Sequence, residues 1–133
     1  MTITITRIDP SQTALSVKVR THELIADMGP ADGGLDAGPD PHDIYDSALG
    51  ACKALTLIWY ANRKHIPLED VHVSVERDNS QERQGVYVLT TTLALSGNLT
   101  EAHRAELLSV AEKCPVHKLM TEVTTVIHTK LAI

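Results

Sequence analysis

The sequence predicts an α+β domain, and three observations carry that expectation. Period-two alternation of apolar and polar residues falls in groups, at 2–26 and again at 71–95, instead of alternating with helices as a parallel α/β sheet would require. A run from Ile44 to Ala61 is apolar on nearly all sides at helical spacing, which marks a helix central to its domain or buried in an oligomer. The chain has 133 residues, 43% of them hydrophobic, which suits one domain spanning 1–133 with a real core.

In chain order, Thr2 to Thr6 alternates with Ile3 and Ile5 on one face, and Asp9, Pro10 and Ser11 supply a turn. Ala14 to Val19 alternates again, and His22 to Ala26 continues or pairs with it. Met28 to Pro41 (MGPADGGLDAGPDP) holds four Gly, three Pro and three Asp and reads as a long loop, expected as a flexible lid; Asp32, Asp36 and Asp40 lack calcium-loop spacing. The central helix follows, with Asp40 or His42 near its start, Pro41 in its first turn and Asp43 at its positive end. Arg63, Lys64 and His65 suit its C-terminal end, and Pro67 stops it. Val71, Val73 and Val75 define a half-buried strand. Asn79 to Gly85 is a turn, and Val86 to Leu95 a second strand. Asn98 or Thr100 caps a second helix that reaches Lys113. Cys114-Pro115 interrupts it, a short helix spans Val116 to Met120, and Val123 to Leu131 is expected as a closing strand.

Composition narrows the function classes. Twelve Lys and Arg against 17 Asp and Glu give a net charge of −5, spread along the chain, which argues against nucleic acid as a partner. The N-terminus lacks a continuous apolar stretch of the secretory kind, and Asp46 and Lys53 interrupt the most apolar run, so no membrane span and a cytoplasmic location are expected. Two cysteines are too few for a disulfide scaffold. Seven histidines are scattered without CxxC or HxxxH spacing. Cys114 and His117 share a helical face that Cys52 could join, but the pattern is too sparse to predict a metal site.

The two thiols therefore carry the chemical question. Cys52 sits mid-helix among Gly50, Ala51 and Ala54, either as a buried core thiol or as a reactive one. Cys114 precedes Pro115 and a helix start, so the Val116 and His117 amides can face its sulfur and lower its pKa, with His117 and Lys118 adding charge; alternatively Cys-Pro only ends a helix. A nucleophilic thiol with a resolving thiol is the minimal apparatus for reducing a peroxide without a cofactor. Leu55, Ile58 and Trp59 are candidates for a substrate pocket.

The run GPDPHDIYDSALGACKALTLIWYANRKHIPLEDVHV (Gly38 to Val73) resembles the core of the OsmC/Ohr family, and AEKCPVHKL (Ala111 to Leu119) its second motif, with the two cysteines 62 positions apart. The short OsmC-like redox-protein branch is the most similar. The resemblance implies curved antiparallel sheets wrapped around two central helices in an intertwined homodimer with sites at its interface. It also implies reduction of organic hydroperoxides by peroxidatic Cys52 and resolving Cys114, with no cofactor and with a dithiol reductant. Arg20, or alternatively Arg7, matches the family's activating Arg. Where the family carries Pro-Glu, this chain has Pro41-His42, and Asp43 is the nearest carboxylate. Asp43 is expected as a cap or dipole partner of the helix and not as a replacement for that Glu, and His42 either to pair with the thiolate or, as the favoured reading, to stay neutral at the surface. The missing Glu motivates a second reading, a small-molecule binding protein of the same fold with little or no peroxidase activity.

Overall fold

The computed structural model describes residues 1–132, in two compact units, Met1–Asp46 and a second beginning at Ser47. In the first, β1 (Ile3–Arg7), β2 (Leu15–Val19) and β3 (His22–Ala26) form an antiparallel meander in the order β1-β2-β3. Its register places Ile5 opposite Val17 and Val17 opposite Leu24, so the predicted alternation sets the pairing. Asp9 closes the first turn by accepting from the Ser11 amide and hydroxyl at 2.9 and 2.8 Å, which holds its carboxyl below the ordinary value.

The Gly- and Pro-rich segment is a folded loop, contrary to the flexible lid expected, and Asp27 is the reason. Asp27 is buried at 4% exposure and accepts from Thr13 Oγ1 and from the amides of Met28, Leu35 and Ala37. Those bonds satisfy donors that a loop cannot pair with itself. A Cβ on Gly34 would collide with the Met28 carbonyl, so only glycine lets the loop close there. The Thr13 hydroxyl and the loop amides draw the Asp27 carboxyl down to about 2. A depressed carboxyl contributes stability above its unfolded value near 3.9, and that stability is lost as pH falls through about 2. Protection of the Leu35 and Ala37 amides, measured against their unprotected exchange rates at the same pH, is therefore expected to fall between pH 4 and about 2. Asp27→Asn should show exchange roughly tenfold faster already at neutral pH, since a neutral amide accepts more weakly than a carboxylate. Unchanged protection at both amides in Asp27→Asn would refute this role.

Helix α1 (Pro41–Lys64) starts in the first unit and runs into the second. Its entry is a reciprocal box: the Asp43 amide donates to Asp40 Oδ1 at 2.8 Å and the Asp40 amide to Asp43 Oδ2 at 3.1 Å. Asp40, not His42, thus caps the helix, and Asp43 acts in the cap as expected. At the far end His65 takes φ +55 and the Ile66 amide donates to the Ala61 carbonyl at 2.9 Å, a left-handed cap that folds Ile66 back onto the core.

Beyond the helix, β4 (Leu68–Asp78) and β5 (Val88–Gly97) form an antiparallel ribbon with Val73 opposite Leu93. Val71, Val73, Val75, Leu93 and Leu95 are half-buried while His72 and Ser74 face out, as period two demands. Gly50 lets α1 approach this ribbon, since a Cβ there would stand 2.9 Å from Val75 Cγ2. Helix α2 (Glu101–Ala111) is capped by Thr100, which accepts from the His103 amide at 3.0 Å while His103 Nδ1 accepts from the Thr100 amide at 3.3 Å. Leu57, Ala61 and Ile66 pack with Leu107 and Ala111 to form the core of this unit. Helix α3 (Pro115–Thr121) follows with Cys114 immediately before it.

The expected closing strand does not form: 124–132 has no regular structure, and Val126 and Ile127 are exposed. Alternation marks a segment able to pair, but a strand is half of a ladder, and neither sheet pairs with this segment among the described residues. No described helix is long and apolar enough to cross a membrane.

Candidate functional site

The second unit brings both predicted cysteines together. Cys52 lies one turn into the small-residue stretch of α1 and is partly accessible, whereas Cys114 has no exposed surface. Both are free thiols, and they lie near each other. Thr56, one turn after Cys52, places its hydroxyl 3.9 Å from the Cys52 sulfur. The Val116 amide donates to that sulfur at 3.5 Å. The sequence directed both amides at Cys114; one of them serves Cys52 instead.

The expected lowering of the Cys114 pKa is not found. Burial pushes the thiol up, helped by the neighbouring Cys52, against the opposing pull of the His117 amide and the Lys53 charge. Desolvation disfavours thiolate at a site without exposed surface, and one amide does not overcome it.

Lys53 is the residue that sequence reasoning missed. It is buried at 4% exposure, and its ammonium donates to the Ala111 carbonyl at 2.7 Å and bonds His117 Nδ1 at 3.0 Å. The second bond joins the His117 side chain, expected beside Cys114, to Lys53. Lys118, the other expected cation, is exposed. The signal was available: a lysine next to Cys52, inside an apolar helical run, needs a partner wherever it is buried.

Beside the thiols lies a groove of about 510 Å³ lined by Leu55, Thr56, Trp59, Tyr60, Val110, Lys113 and Pro115. Leu55 and Trp59 are among its walls, although both remain largely exposed at 66% and 59%. Ile58 is not; one residue of helical rotation turns it to a smaller depression with Asn62, Leu68 and Asp70. Tyr60 is held at the groove by a hydrogen bond to Glu106, which raises its pKa, and Arg63 stacks 5.0 Å from the Trp59 ring centre.

The remaining predicted residues belong to the first unit. Arg20 opens the two-residue β2–β3 turn at φ +54, with its guanidinium 3.8 Å from the Met1 sulfur. Arg7 donates to the Gln12 carbonyl at 2.5 Å. His42 is exposed on the first turn of α1, and Asp43 is taken up in the helix cap. Among the described residues, no group of three or more His, Cys, Asp or Glu converges as a metal site.

Solved structures place this arrangement in a known fold. A Psychrobacter arcticus osmotic stress induced and detoxification response protein superposes with a TM-score of 0.75 at 16% identity, over 92% of this chain and 89% of that one. An OsmC-like protein from Mycoplasma pneumoniae gives 0.72 at 19% identity, again over 92% and 89%. A Vibrio cholerae organic hydroperoxide resistance protein with captopril in one of its active sites gives 0.61 at 19% identity, over 92% and 85%. Among curated proteins, none matched the sequence. The model of the family described as OsmC-like protein matches residues 32–129, which include both cysteines, Lys53 and every residue of the groove. With that span and this fold, the chain belongs to the OsmC-like protein family.

Proposed function

We propose that the protein is a thiol-dependent peroxidase that reduces organic hydroperoxides through Cys52 and Cys114. The observation that carries the proposal is the nearness of a partly accessible thiol and a fully buried one beside an apolar groove, with the Val116 amide, two residues after Cys114, donating to the Cys52 sulfur at 3.5 Å. The names of the Vibrio cholerae relative and of others, such as a hydroperoxide resistance protein of Bacillus subtilis, support the same chemistry.

In this reading the apolar part of the hydroperoxide lies against Leu55, Trp59 and Val110. The Cys52 thiolate attacks the outer peroxide oxygen. An S–O bond forms, the O–O bond breaks, and the alcohol leaves after taking up a proton. Sulfur is oxidised by two electrons to the sulfenic acid and the peroxide is reduced by two. The Cys114 sulfur then attacks Cys52, forming the S–S bond and expelling water, and a dithiol reductant reopens the disulfide. Cys114 gives up its proton in this step, and the proton leaves with the hydroxyl of the sulfenic acid as water; until then burial shields Cys114 from the peroxide.

The reading extends to one family domain over 1–133, a cytoplasmic location, and a homodimer. The exposed apolar residues Leu55, Trp59 and Leu108, with the exposed 124–132 segment, supply surface for a second copy to cover. Arg20 retains the activating role that the family pattern suggests for it.

Cys114→Ser tests the division of labour. One equivalent of organic hydroperoxide should leave Cys52 as a sulfenic acid that a dimedone-type reagent captures, with turnover by dithiol greatly slowed. Capture on no cysteine, with the hydroperoxide untouched, would overturn the proposal. A second reading, a binding protein whose thiols do little chemistry, is favoured by the absent Glu and by the engagement of Asp43 in the helix cap. It predicts ligand retention in the groove with both thiols inert to the hydroperoxide.

A further inference from the structure

A buried lysine needs an explanation that packing alone does not supply. Lys53 projects from α1 and has almost no exposed surface, and its ammonium is held by a backbone carbonyl and an imidazole. What it meets first is the carbonyl of Ala111, the last residue of α2, at 2.7 Å. The final carbonyls of a helix lack intrahelical partners and carry the negative end of its dipole, so this position is where a buried cation costs least. Its second partner is His117 Nδ1 on α3, at 3.0 Å. One ammonium thus ties the helix bearing Cys52 to the residues on either side of Cys114.

The same placement brings its charge to the sulfurs. Its ammonium bonds Ala111 and His117, on either side of Cys114, and its charge favours the Cys114 thiolate; on the same stretch the Val116 amide donates to the Cys52 sulfur at 3.5 Å. The polar side chains brought to the residues flanking Cys114 include Lys53 from α1 and His117 from α3, bonded to each other. From the ribbon, the residue nearest this part of α1 is apolar Val75, against Gly50. In such surroundings little water screens the charge, and a fixed cation favours thiolate over thiol.

We propose that Lys53 is the positioning residue of the thiol pair, a buried cation that locks Cys52 and Cys114 together through Ala111 and His117 and stabilises the thiolate formed between them. The inference rests on the thiol-redox reading and names the group that holds its charge. The proton lost by the thiol goes to solvent.

The test is the pH profile of iodoacetamide alkylation of the reduced protein, followed site by site by mass spectrometry. Lys53→Gln removes the charge and keeps a donor; it should move the alkylation midpoint of Cys52 upward by about one pH unit, a roughly tenfold slower reaction below the midpoint. Lys53→Arg keeps the charge and should restore the wild-type midpoint. A folded Lys53→Gln variant that is less stable yet alkylated with the wild-type profile would reduce Lys53 to a structural residue and overturn the proposal. The wild-type chain offers a test that needs no variant. The Lys53 ¹⁵Nζ resonance should shift through the pH range in which the thiols titrate, because the coupling is reciprocal; a resonance unmoved through that range overturns the proposal equally. Oxidation of the wild type by cumene hydroperoxide, measured in parallel, judges the peroxidase reading separately, since alkylation requires no peroxide.

Discussion

Replacing Cys52 with serine is expected to abolish hydroperoxide consumption, by roughly 10⁴-fold or more, as loss of a covalent nucleophile does. A hydroxyl in the same place has neither the acidity nor the nucleophilicity of a thiol toward a peroxide oxygen. Cys114 cannot take over, because it has no exposed surface and burial holds it as the thiol. The substitution should be mild for the fold, since Cys52 is only half-buried and serine is close in size. Consumption of an organic hydroperoxide with excess dithiol, alongside a thermal melt, separates the two effects. Activity within tenfold of wild type in a folded Cys52→Ser protein would move the chemistry to another residue.

The largest effect on stability is expected at Leu107. It has no exposed surface and packs with Leu57, Ala61, Ile66 and Ala111, joining α2 to α1. Leu107→Ala removes buried methyl groups and leaves a cavity, at a cost of about 2–5 kcal/mol. Against a typical total of about 5–15 kcal/mol, that is a large fraction of what holds a small protein folded. The damage should also reach the site, because α2 ends at the carbonyl that holds Lys53 and leads directly to Cys114. Urea unfolding of both proteins at equal concentration measures the first effect, and faster alkylation of Cys114 reports the second. A loss below about 1 kcal/mol would mean that the cluster around Leu107 is not the core of this unit.

What was legible in the sequence is what local chemistry decides. Period two set β1 to β5, the Thr100 cap and the Cys114-Pro115 break set α2 and α3, and Pro67 set the end of α1. The pairing of Cys52 with Cys114 followed from two apolar helices needing each other. What was not legible depended on distant partners. The 124–132 segment has strand alternation but no ladder to join. The glycine-rich loop looked loose because Asp27, which orders it, precedes it and collects amides up to ten residues away. Lys53 read as a charge interrupting an apolar run, and only the Ala111 carbonyl and His117 Nδ1 reveal what it pairs with. Ile58 and Leu55 were equivalent in hydrophobicity and differ only in which side of α1 they occupy.

The central claim, that Cys52 and Cys114 act as one redox pair, is tested most directly by the mass and thiol content of the reduced wild-type protein after one equivalent of organic hydroperoxide. The prediction is a mass lower by two hydrogens, no titratable thiol, and a single cross-linked peptide joining Cys52 to Cys114. An unchanged mass with both thiols still titratable would contradict it.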